Sequence, residues 1–162
     1  MAKKLLTTLS LIAGLTAGAA FADNHINGAI KARQGQMQLY AHYLGVLGGM
    51  AKGSIEYDAA AAQAAADSLL AVSSISGATL WPQGSDNQSA EGTRALPAIW
   101  ENFADVGAKA QAMTDGATAM AAAAGTDVDA LRAAMSGVGG ACEGHGILTG
   151  QMIEHVAKPA RD

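Results

Sequence analysis

The chain is poor in cysteine, proline and aromatic residues. One cysteine, Cys142, stands among 162 residues, with three prolines and 4% aromatics. A lone cysteine excludes an internal disulfide, so the fold rests on its core. At this length a core of adequate size can form without staples. Few aromatics argue against a β-sandwich, whose strands favour Val, Ile, Tyr, Phe and Trp. Charge is also sparse: charged residues make up 15%, the net charge is −4 and the pI is about 5.4. Apart from Lys3-Lys4 the basic residues are scattered. That argues against a nucleic-acid partner, whose phosphates call for a basic patch. There is no Gly-rich phosphate loop, no nucleophile-elbow motif and no carboxylate pair set for glycosidase chemistry. No enzyme reaction is indicated.

What is abundant is alanine, in a chain that is 50% hydrophobic. Alanine has the best helix propensity and lets helices approach closely. The expected fold class is therefore all-α.

The N-terminus reads as a leader. Met1-Ala2-Lys3-Lys4 is a short basic region, residues 5–18 are apolar, and Ala20-Phe21-Ala22 has small residues at a cleavage spacing. This is the pattern of a secretory signal peptide. The apolar run falls short of the ~20 residues that span a bilayer. The expected layout is a signal peptide over 1–22 and one exported domain over 23–162, in an oxidising compartment.

Four helical stretches come next. In the first, from about Ile26 to Gly49, Ile30, Arg33, Met37, Tyr40, Leu44 and Leu47 alternate at spacings of three and four. Such a stripe faces partner helices in a bundle. Arg33 breaks its apolar character, so its guanidinium is expected either to reach water along a packed stem or to pair with an anion inside the bundle. The second stretch begins at Asp58, a good N-cap, and runs through Ala62, Ala66, Leu69 and Leu70 to about Ile75. A loop over 76–96 follows, long enough to suggest function, with Trp81 expected to tuck beneath it as an anchor. The third stretch starts at Pro97 and carries Ile99, Phe103, Val106, Ala110, Met113, Ala117 and Met120, ending near Gly125. The fourth is capped by Thr126 or Asp127, with a stripe of Val128, Leu131, Met135 and Val138 that continues to Cys142 and His145. Glycines crowd its second half. They indicate either close approach of something bulky and flat or a helix that stops near Gly139. Together the four predict an antiparallel four-helix bundle.

Several segments then occur in a telling order. Ile30-Lys31-Ala32-Arg33-Gln34, Tyr57-Asp58-Ala59, Trp81-Pro82-Gln83-Gly84-Ser85-Asp86, Gly92-Thr93-Arg94-Ala95-Leu96-Pro97 and Val138-Gly139-Gly140-Ala141-Cys142 mark the chain from end to end. In order and spacing it resembles the cytochrome c′ family, the class II c-type cytochromes of bacterial periplasms, from about Asn27 to Gly144. The resemblance implies a four-helix bundle, a homodimer joined through its first two helices, and one haem held between the helices. It implies electron transfer or binding of small gases such as NO and CO. It gives Arg33 a haem propionate as its anion, sets Gln34 beside that contact, and makes Met37 the residue covering the open side of the iron.

The family attaches haem through Cys-x-x-Cys-His. Here the segment reads Cys142-Glu143-Gly144-His145-Gly146. Cys142 matches the first cysteine, and His145 stands where the second belongs. One expectation keeps the haem, with a single thioether from Cys142 and His145 as the iron ligand. Shifting the histidine by one residue rotates it by about 100° on a helix, which unwinding at Gly144 or Gly146 could absorb. A second is a haem-free interaction or sensing bundle. A third is a cytochrome c′ whose reading frame is altered near codon 145, since residues 147–162 no longer resemble the family.

Overall fold

A computed structural model describes the backbone of residues 13–143 and the side chains of residues 24–139. Its helices are α1 (Ala13–Lys52), α2 (Ala59–Ser73), α3 (Ala98–Glu101), α4 (Phe103–Ala123) and α5 (Val128–Glu143), with one 3-10 turn at Gly77–Thr79. Four of them form the bundle expected from the stripes, and α3 is a single turn leading into α4.

Helix starts follow local chemistry. Asp58 Oδ1 accepts from the Ala61 amide at 2.7 Å and caps α2. Asp127, rather than Thr126, caps α5, accepting from the amides of Asp129 and Ala130. The α1 stripe faces inward as its period requires. Ile30, Arg33, Tyr40, Leu44 and Leu47 are buried, and Met37 is half-buried against the core. Across from it, α2 presents Ala62, Ala66 and Leu69, α4 presents Met113, Ala117 and Met120, and α5 presents Leu131 and Val138. The small alanine faces bring the backbones close, so long side chains fill the centre from α1 and α4.

Two of the expected helices differ in extent. α1 runs from Ala13, into the expected leader, and ends at Lys52 rather than Gly49. The third stretch is not one helix: it breaks at Asn102, whose φ of −129° and ψ of 50° leave the helical region. The break turns Phe103 outward to 44% exposure, and Ala110 is also exposed, so neither belongs to the buried stripe. For α5 the longer of the two expectations holds, and the helix does not stop near Gly139. It continues through Gly137, Gly139 and Gly140 to Glu143. Among the described residues, no helix is long and apolar enough to cross a membrane.

The register of α1 against α5 decides which of their residues can meet. Arg132 Nε donates to Ala51 O at 2.8 Å, and a methyl on Gly48 would lie 3.6 Å from Met135 Cε. Moving up α1 moves down α5, so the two are antiparallel. Carried along both helices, this register sets Val138 level with Gly45 and the backbone of Cys142 level with Ala41.

Candidate functional site

The site grows from one buried cation. Arg33 is 4% exposed, at the inward face of α1. Its guanidinium does not reach water, the first of the two sequence expectations, and every acceptor it uses within the chain is a neutral oxygen of the long loop. Its Nη1 donates to Ser85 Oγ at 2.7 Å and to Leu80 O at 3.3 Å. Its Nη2 donates to Ser85 O at 2.6 Å and to Thr93 Oγ1 at 2.7 Å. The guanidinium carbon lies 4.5 Å from the centre of the Trp81 ring, a cation–π geometry. Burial pushes the guanidinium below its usual value. An arginine keeps its proton even so, and the charge is held by oriented dipoles rather than by a carboxylate.

The loop that supplies these oxygens is built to reach them. Gly84 and Gly92 adopt φ of 79° and 73°, which only glycine takes without strain. They come directly before Ser85 and Thr93, two of the residues that close on Arg33. Trp81 is the anchor the sequence predicts. It packs edge-to-face on Trp100 at 5.9 Å, and Trp100 Nε1 donates to Trp81 O at 3.1 Å. Asp86 is buried and caps the next turn, accepting from the amides of Gln88 and Ser89. Burial raises its carboxyl, but these amides and the Ser89 side chain outweigh that and hold it below the usual range.

Of the predicted site residues, the structure brings Arg33, Gln34 and Met37 together on successive turns of α1. Gln34 also reaches the loop, its Nε2 donating to Gly92 O at 2.7 Å. The backbone of Cys142 lies in the last turn of α5, one helical turn beyond buried Val138. The Cys142 side chain and all of His145 lie outside the described residues. Ser85, Thr93 and Trp100 are parts of the site that sequence reasoning did not single out. The segments of Ser85 and Thr93 belong to the ordered motifs of the chain, but nothing in a linear reading aims them at residue 33.

The residues present suit a haem in charge and space. Arg33 offers a buried positive charge with no carboxylate partner among the described residues. Between α1 and α5 runs a groove of about 440 Å³, lined by Leu44, Gly45, Gly48, Met135, Val138 and Gly139 among others. It leads toward the turn that carries Cys142. One cysteine is available where two thioethers would need two.

A four-helix bundle with an arginine-centred loop and a cysteine on its last helix defines a class, and the comparisons agree with it. The model of the family described as Cytochrome C′ matches residues 28–145, ending on His145, where the attachment motif departs from the family pattern. Cytochrome c-554 of Cereibacter sphaeroides is 45% identical over 136 residues, covering 83% of this chain and 89% of that protein. The solved cytochrome c′ from Rhodobacter Spheriodes superposes with a TM-score of 0.70 at 36% identity, covering 73% of this chain and 91% of that one. Another solved cytochrome c′, described as having an unusual ligand-controlled dimer dissociation, gives a TM-score of 0.67 at 27% identity over 73% and 90% of the two chains. The chain belongs to the cytochrome c′ family. That family is one of haem-binding four-helix bundles rather than classical enzymes.

Proposed function

We propose that this chain is an exported c-type haem protein that carries electrons or binds a small gas such as NO or CO. A leader over 1–22 is removed on the way to the periplasm. The remaining chain pairs as a homodimer, as does the related protein whose dimer dissociates under ligand control. Haem, when bound, would supply a redox-active iron able to take an electron or a small ligand.

The rest is done by this chain's own residues. Cys142 would hold the haem through one thioether, and His145 would be the iron ligand. Arg33 would supply positive charge to a propionate, with Gln34 beside it. Met37 would limit what can approach the iron.

The observation that carries this reading is the α1–α5 register. It supports Cys142 standing level with Ala41, one turn from Met37 and two from Arg33, so that the groups assigned to haem share one end of the bundle. The glycines at the α1–α5 groove support a flat group lying close to both backbones.

A second reading has one observation in its favour. Arg33 and Gln34 already have acceptors within the chain, as a haem-free bundle would require. The visible spectrum decides between the two. Mature protein expressed with the c-type haem maturation machinery is expected to show a Soret band and reduced α and β bands. Colourless protein from the same cells sinks the haem reading. Cys142→Ala is expected to leave any haem extractable by acid and solvent.

A further inference from the structure

Arg33 and Gln34 are neighbours on α1, and both are spent on one stretch of loop. Their five acceptors all lie between residues 80 and 93. Within that stretch the backbone bonds are local turns, such as Ser85 N to Pro82 O and Ala90 N to Asp86 O. Asn87 N to Ala95 O, at 2.7 Å, spans only eight residues and closes the loop on itself. The bond from Trp100 Nε1 to Trp81 O ties the loop to α3, which is itself a single turn. Beyond that packing on Trp100, the loop's hydrogen bonds to a long helix come from α1 among the described residues, four of the five from one side chain.

That side chain is almost fully committed. A guanidinium has five N–H donors. Nη1 and Nη2 use four of them on the loop, which leaves Nε. A carboxylate that binds arginine in the strong, paired geometry needs two parallel N–H groups. Here it must take at least one that the loop now holds.

We infer that Arg33 is the latch of a strap: this buried guanidinium closes residues 80–93 onto α1, and a carboxylate that engages it through two donors opens the strap. The latch stands on the hydrogen bonds within the chain alone. The opening rests on the haem reading of the proposed function, with a propionate as the carboxylate.

Hydrogen exchange read by mass spectrometry tests both parts. In the unloaded chain, Arg33→Met is expected to speed exchange across 80–93 by at least tenfold while α2 and α4 keep their protection. Arg33→Lys is expected to restore part of it, because an ammonium keeps the charge but lacks the planar fork. Should Arg33→Met fail to fold, Ser85→Ala with Thr93→Val removes two acceptors and is expected to speed the same peptides several-fold. Unchanged exchange in the variant that folds overturns the latch. Loading wild-type chain with haem is then expected to speed exchange over 80–93. Unchanged or slower exchange on loading overturns the opening but not the latch. A chain that takes up no haem overturns the opening together with the reading it rests on, and the Arg33→Met result still decides the latch.

Discussion

The Arg132 guanidinium donates to the Ala51 carbonyl at 2.8 Å, so the second turn of α5 closes the last turn of α1. That carbonyl lies in a last turn, where helix acceptors have no partner of their own. The bond also fixes the register that brings the Cys142 turn toward Met37.

Arg132 and its neighbour should nonetheless differ sharply in cost. Arg132 is exposed, and its ion pair with Asp129 is a surface pair. Arg132→Ala is expected to lose about 1 kcal/mol or less in urea unfolding. Leu131 is fully buried. Leu131→Ala is expected to lose about 2–5 kcal/mol, through lost transfer energy and the cavity left behind. Equal losses for the two would contradict the assigned core face of α5.

Glycines give a second contrast. A methyl at Gly107, within α4, meets nothing within 4 Å, while one at Gly125 would sit 2.6 Å from Gln63 Oε1 and 3.1 Å from Gln63 Cβ. Gly107→Ala is expected to stabilise by about 0.5–1 kcal/mol, because alanine loses less conformational freedom in a helix. Gly125→Ala is expected to destabilise by about 1 kcal/mol or more, as Gln63 is pushed from its bond to Ala121 O. Thermal midpoints of the two variants should move in opposite directions.

Asp86 sets an acid dependence. Its carboxyl is held below the ordinary range against the opposing effect of burial, by the amides and hydroxyl that cap it. A depressed folded value means its stabilisation is present above the unfolded value of about 3.9 and is lost as pH falls through the folded one. Wild-type thermal stability is therefore expected to fall as pH drops below about 4, and Asp86→Asn to show a shallower fall. Parallel curves for the two proteins would show that the loop cap is not a source of acid sensitivity.

The bundle was legible because its stripes obey one period. Ile30 to Leu47 on α1 and Leu131 to Val138 on α5 needed no partner to be recognised. The break at Asn102 was not, because Ile99, Phe103 and Val106 keep helical spacing across it, and only the backbone angles show the turn. The fate of Arg33 was half legible. Its burial follows from its place in the stripe. Its acceptors do not, since Ser85 and Thr93 lie 52 and 60 residues away and are brought near only by the folded loop. Trp81 was read as an anchor because a tryptophan in a long polar loop needs somewhere to bury its ring. Cys142 and His145 remain as the sequence left them, a pairing of two haem-competent side chains in a spacing the family does not use.

The claim that one cysteine and one displaced histidine still hold haem is tested most directly by the intact mass of the denatured, mature protein, made with the c-type maturation machinery. The expected result is a mass raised by one haem per chain in wild type and not in Cys142→Ala. A wild-type mass equal to the bare polypeptide, or a haem mass that survives in Cys142→Ala, contradicts it.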